Sequence, residues 1–167
     1  MASANKKVDQ KKLFKVIITA IVNKDGKYLV LQRAAWEKKF PLQWTVPGGK
    51  ISSDDYTHLP KDTPDYWYNV LERTLHREVL EEAGVKIKNV RYVTSLADAR
   101  KDDYPSIVIS CLADYVSGKV KTDNSMVDHR WVTLKEAKSV GLIGGIYEEL
   151  EMADRLMKGK KAVWSKK

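Results

Sequence analysis

The stretch that most restricts what this chain can become is residues 71–85, LERTLHREVLEEAGV. Set at about 100° per residue around a helix, Leu71, Leu75 and Val79 fall within roughly 80° of one another and define a buried stripe. Glu78 and Glu82 lie within about 20° of the Leu71 direction, and Glu81 borders the stripe some 60° further round. Three carboxylates are thus expected on the flank that packs inward. Like charges three and four residues apart on a helix repel, and a partly buried carboxylate is costly unless something positive compensates it. A divalent cation answers both problems. Carboxylate oxygens suit Mg²⁺ or Mn²⁺, which keep waters and bridge to phosphate oxygens. The alternative is a solvated acidic helix end, and the placement against Leu71 and Leu75 favours the metal.

The rest of the chain supplies a sheet for that helix. Residues 14–22 (FKVIITAIV) and 27–33 (KYLVLQR) are apolar runs about the turn Asn23-Lys24-Asp25-Gly26, which reads as a hairpin. Trp44-Thr45-Val46 is a short strand ended by Pro47-Gly48-Gly49, and residues 50–62 form a polar loop. Thr63-Pro64 reads as an N-cap followed by proline at the first helical position, which predicts a helix from there to Ala83 with Gly84 as its stop. Strands are expected within 85–96, 106–116 and 128–132, a short helix at 134–140, and an amphipathic helix at 146–157. No repeat, low-complexity segment or linker divides the chain. The expected fold is α/β (α+β), an α/β/α sandwich around a mixed sheet.

Composition sets the outer limits. A chain of 167 residues with 43% hydrophobic content reads as one folded domain, and disorder of the whole is excluded. Cys111 is the single cysteine, in an apolar run, so it is expected to be buried and inert in a reducing cytosol. No apolar window reaches the length of about 18 residues that a spanning helix needs, and the N-terminus has no apolar signal core. The net charge of +8 resides in the ends. Residues 1–12 and 155–167 together carry +9, and the 142 residues between them carry −1. Basic, flexible tails at 1–12 and 159–167 are therefore expected to flank a domain at 13–158, where they serve solubility or steer a polyanion.

Directly after the Trp44 strand stands Pro47-Gly48-Gly49-Lys50, where two glycines let the backbone approach a ligand closely. Coupled to the carboxylate helix, this loop resembles the Nudix hydrolase family. The family's box reads Gly, five residues, Glu, seven residues, then Arg-Glu-apolar-x-Glu-Glu-x-Gly-apolar. Arg77-Glu78-Val79-Leu80-Glu81-Glu82-Ala83-Gly84-Val85 matches the second half at every specified position, and WTVPGGK matches the approach to the box. The first half departs from it. Gly49 and Arg77 are 28 positions apart where the family has 14, and no Glu stands between them at the expected place. Asp62 could replace that Glu with the surplus divided seven and seven between loop and helix; Asp55 is the other candidate, by its spacing from Gly49.

The resemblance implies hydrolysis of a nucleoside diphosphate linked to another group. Glu78, Glu81 and Glu82 would hold Mg²⁺ or Mn²⁺, the carbonyl of Gly49 would complete the shell, and Arg77 would orient the acids. Proton acceptors to consider are Glu78 and Glu82, or Asp123, Asp128, Glu148 and Glu149 from later loops. Arg33 and Lys50 would meet phosphate, and Trp44 either stacks on a base or belongs to the core. His58, His76 and His129 lack metal-ligand spacing. Trp36, Tyr66, Trp67 and Tyr68 crowd the insertion within 50–76, as a cover for substrate, a dimer contact or packing for an extended helix. The leading expectation is a pyrophosphohydrolase of a small nucleotide, a (d)NTP ahead of ADP-ribose or a sugar nucleotide, working as a monomer or homodimer. A non-catalytic nucleotide sensor and an enzyme of RNA ends served by the basic tails are the alternatives; no membrane is involved.

Overall fold

A computed structural model describes residue 9 and residues 12–99 and 104–166. The expected basic tail at 1–12 falls almost wholly outside the described residues. Alternation along the strands decides the layering, because successive side chains of a strand point to opposite faces. In β1 (Lys15–Lys24), Ile18, Ala20 and Val22 face one way and Ile21 the other. β2 (Lys27–Arg33) divides in the same manner, with Leu29 and Leu31 opposed to Tyr28 and Val30. Both faces are apolar, so both must be covered.

Among the described residues, seven strands form one mixed sheet. They continue with β3 (Trp44–Thr45), β4 (Gly48–Lys50), β5 (Lys86–Asp98), β6 (Ser106–Ser117) and β7 (Met126–Val132). β1 and β6 run parallel, Lys15 opposite Ser106 through to Asn23 opposite Asp114, and the other pairings are antiparallel. β2 holds β1 only at its last residues, Asn23↔Tyr28 and Lys24↔Lys27. Further back β1 parts from β2 and takes β4 instead, Ile18 opposite Gly49 and Thr19 opposite Gly48. That parting opens the slot in which the Gly-Gly pair lies.

Helix α1 (Val70–Ala83) covers the Ile18 face with Leu75, Val79 and Ala83. The short α2 (Leu134–Ala137) and α3 (Ile146–Met157) cover the Ile21 face with Ala137, Ile146, Leu150, Met152 and Ala153. The expected α/β/α sandwich is what forms. Of the C-terminal tail, Ala162 packs partly against the α3 side.

Two expectations fail at the start of α1. The helix begins at Val70, not at Pro64, because Thr63 spends its hydroxyl on a turn by accepting the Tyr66 N–H at 3.1 Å. Trp67 then turns back on the loop. Its Nε1 donates to the Leu59 carbonyl at 2.9 Å, and its ring meets Tyr56 at 5.3 Å between centroids and the Lys61 ammonium at 5.1 Å. Asn69 enters the helix in the left-handed region with φ 54°. The surplus residues therefore lie in the connection and none extends the helix, so the seven-and-seven division is wrong. The buried stripe is Thr74, Leu75, Val79 and Ala83; Leu71, in the first turn, is 36% exposed.

Candidate active site

The carboxylate helix meets β4 with Glu78 against Gly49 and Glu82 against Gly48. A Cβ at Gly49 would overlap the Glu78 carboxylate, and one at Gly48 would collide with the Ile18 carbonyl and Thr19 backbone. Two glycines are thus needed for separate reasons, the helix above and the strand beside. Glu82 accepts the Gly48 N–H at 2.9 Å, and burial pushes its pKa from 4.5 up to about 8. The Gly48 N–H and Arg33 oppose that rise, while Glu78 and Asp123 add to it. Burial also raises Glu78, opposed by Arg77 and reinforced by Glu81 and Asp55.

Arg77 gathers the acids. Its guanidinium donates to Asp55 Oδ1 at 2.8 Å, Glu78 Oε1 at 2.8 Å and Glu81 Oε2 at 2.7 Å. Burial works against that charge, but the three carboxylates outweigh it and hold the arginine's pKa up. Asp55 is itself fixed in a 3₁₀ turn, Ser53–Asp55, where its Oδ2 accepts the Ser52 N–H at 2.8 Å and the hydroxyl of buried Thr74 at 3.3 Å. Between the two candidates for the missing Glu, Asp55 is therefore the partner of Arg77. Asp62 pairs with Arg73 at 3.0 Å and accepts the Tyr68 N–H at 2.9 Å, so it belongs to the loop.

The inward trio is corrected to an inward pair. Glu78 and Glu82 turn toward the glycines, whereas the Glu81 side chain is 57% exposed and drawn to Arg77. Among the described residues no three Asp, Glu, His or Cys side chains already converge on one point. Trp44 is core, 5% exposed, with the Arg130 guanidinium 4.5 Å from its ring centre, so stacking on a base is excluded by packing. Arg33 faces Glu82 electrostatically while bound to Glu37 at 2.6 Å and to the Lys39 carbonyl at 2.9 Å. Lys50 is exposed at the end of β4.

Of the possible proton acceptors outside the helix, Asp123 faces Glu82, its Oδ1 held by the Ser125 N–H at 2.9 Å. Glu148 and Glu149 sit on α3, across the sheet from α1, and Asp128 accepts the N–H of His129 on β7. Sequence reasoning missed Ser52 and Thr74, which orient Asp55. The pattern Ser52-x-x-Asp55, which forms a capping box, was the available signal. Trp36, Tyr66 and Tyr68 are 70%, 65% and 55% exposed, and only Trp67 of the aromatic group packs within the insertion.

An α/β/α sandwich with an arginine-clamped acidic helix laid on a Gly-Gly strand defines a class of diphosphate-handling domain. The chain belongs to the NUDIX domain family, whose model matches residues 12–150, and so to the Nudix hydrolases. It is 32% identical over 130 residues to the NAD-capped RNA hydrolase NUDT12 of Homo sapiens, covering 75% of this chain and 23% of that protein. It is 39% identical over 66 residues to the NAD-capped RNA hydrolase NudC of Mannheimia succiniciproducens, covering 39% of this chain and 24% of that one. The chain thus spans about a quarter of the length of these curated relatives. Among solved structures, a MutT NUDIX hydrolase from Burkholderia pseudomallei superposes with a TM-score of 0.66 at 20% identity, over 84% of this chain and 98% of that one. The NUDIX domain of Shewanella oneidensis NrtR, complexed with ADP ribose, gives 0.63 at 18% identity, over 93% and 94%. Both likenesses concern the fold. No helix among the described residues is long and apolar enough to cross a membrane.

Proposed function

We propose that this chain hydrolyses the diphosphate linkage of a nucleotide with the help of Mg²⁺ or Mn²⁺. The observation that carries the reading is Glu82, a half-buried carboxylate whose pKa is pushed up to about 8, beside a second half-buried carboxylate, Glu78, against the two glycines of β4. Such a pair does not ionise fully at neutral pH until a cation arrives, and its donors are all oxygen, which fits a hard divalent ion. Glu78 and Glu82 would hold it, with the Gly49 carbonyl alongside and Glu81 recruited from Arg77. When bound, the metal supplies charge neutralisation on the phosphate oxygens and a more acidic water. The residues do the rest. Arg77, anchored by Asp55, keeps Glu78 and Glu81 in register with Gly49. The hydrolytic proton goes to Glu78, Glu82 or Asp123. Arg33 and Lys50 meet substrate phosphates.

The substrate proposed first is a nucleoside triphosphate, including damaged or non-standard dNTPs, with ADP-ribose and sugar nucleotides behind it. A second reading, a dinucleotide or a dinucleotide-capped RNA end, is supported by the names of the curated relatives. The test is product release from a panel of dNTPs, ADP-ribose, NAD and NAD-capped RNA with Mg²⁺, for wild type and Glu82→Gln. Turnover confined to the wild type supports the assignment, and equal turnover refutes it. Metal-dependent binding without product, on prolonged incubation, would make the chain a nucleotide sensor.

A further inference from the structure

Between the first residues of β1 and the 3₁₀ turn lies a cavity of about 250 Å³, lined by Phe14, Lys15, Lys50, Ser52, Ser53 and Tyr56 among others. We propose that it is the subsite for the group on the far side of the scissile diphosphate, an aromatic ring carrying its own phosphate. The inference rests on the second reading of the preceding section, a dinucleotide substrate, and adds where the second half of that substrate goes. It is independent of α1's carboxylates, since none of them lines the cavity.

Position is the first argument. Lys50 directly follows Gly49, which abuts Glu78, and Tyr56 directly follows Asp55, which holds Arg77. The cavity is thus lined by the chain neighbours of two residues that shape the acidic site. Chemistry is the second. Lys50 offers an ammonium group, and no acidic side chain among the described residues pairs with it. Phe14 is 51% exposed at one wall, and Tyr56 forms another, its ring braced by Trp67 at 5.3 Å. A cation beside aromatic rings suits a phosphate attached to a flat heterocycle. The ring that the sequence offered for stacking, Trp44, is buried and cannot serve.

Size and rigidity are the third. The volume falls short of the roughly 300–1,000 Å³ typical of cavities that enclose a drug-sized ligand, so it takes one ring and not a whole dinucleotide. The wall is already set. The Ser52 hydroxyl accepts the Asp54 N–H at 3.3 Å, and the Ser52 N–H is held by Asp55, so the turn is ordered before ligand arrives. Tyr56 stands at the start of the insertion between Asp55 and α1, the part in which this chain departs from the box it otherwise matches.

Phe14→Ala and Ser53→Trp test the subsite, the first by removing a wall and the second by filling the space. Both positions are exposed, so both variants should melt with the wild type. With NAD as substrate, KM should rise about fivefold or more in each variant at unchanged kcat. With ATP, whose departing group is phosphate or pyrophosphate, KM should stay put. Equal changes for both substrates, or none for NAD, overturn the proposal. Calorimetry of nicotinamide mononucleotide on metal-free protein gives a readout that needs no turnover. Weakened binding of it in both variants supports the subsite even if the wild type hydrolyses nothing in the panel, and unchanged binding overturns it even if hydrolysis is brisk.

Discussion

Glu82→Gln should make the metal-free protein more stable while abolishing its activity. The Glu82 carboxyl holds its proton until about pH 8 in the folded chain and until about 4.5 when unfolded. Between those values the folded state binds more protons than the unfolded one, so stability falls as pH rises through the window. Each pH unit costs about 1.4 kcal/mol, which amounts to about 3 kcal/mol at pH 7 and a ceiling of about 5 kcal/mol above pH 8. Glutamine carries no charge and still accepts the Gly48 N–H, so it removes the loss. At roughly 2–4 °C per kcal/mol for a chain of this size, the variant should melt about 6–12 °C above wild type at pH 7 in EDTA. The two should converge near pH 5. Added Mg²⁺ should raise the wild type by about 2.7 kcal/mol at a hundredfold excess over its dissociation constant, closing most of the gap at pH 7, and leave the variant's stability unchanged. Melting curves at pH 5, 7 and 8.5, with chelator and with metal, measure all of this. A variant that melts with or below the wild type at every pH in EDTA refutes the claim that burial of the Glu82 charge outweighs the Gly48 N–H and Arg33 that compensate it.

Three further outcomes follow from the same geometry. Asp55→Asn should cut kcat by about tenfold to a hundredfold by loosening Arg77, whereas Asp62→Asn, whose partner is Arg73, should leave kcat unchanged; steady-state kinetics on the two variants separate them. Gly49→Ala should cost about tenfold or more in Mn²⁺ affinity, read by electron paramagnetic resonance, because its methyl group takes the space of the Glu78 carboxylate. Burial pushes the Cys111 thiol up to about 11, so a thiol reagent at pH 8 should label the protein only after denaturant is added.

What the sequence disclosed and what it hid divide along a physical line. The hairpin, the α3 helix and the C-terminal two-thirds of α1 were legible because burial is periodic there, at two residues in the strands and near four in the helices. The pair Glu78 and Glu82 was legible for the same reason. Glu81 was not, since the helical wheel ignores Arg77, whose pull turns that carboxylate to the surface. The start of α1 misled because Thr-Pro is equally good chemistry for a turn. Whether Thr63 caps a helix or a turn depends on where Trp67 packs, and that is settled by Tyr56 and Leu59, which lie outside any local window. Trp44 was ambiguous between ligand and core until the Ile21 face of the sheet closed over it.

The placement of the insertion explains why an interrupted box can keep an intact site. Asp55 stands six positions after Gly49, the spacing at which the family pattern has its Glu, and it already holds Arg77. Every surplus residue therefore falls between the clamp and the helix, in a connection whose two ends the ion pair ties together. Lengthening the Asp55 to Arg77 interval from 8 positions to 22 costs about 1 kcal/mol of loop-closure entropy, because that cost grows only logarithmically. The loop offsets it internally with the Trp67 contacts and the Asp62 pairing to Arg73 and Tyr68. The same number of residues placed between Gly49 and Asp55 would pull the acid off the arginine and leave Glu78 with a mobile partner. The insertion is tolerated because it lies outside the one interval, Gly49 to Asp55, that the arginine clamp measures, and Tyr56 at its start is free to wall the cavity.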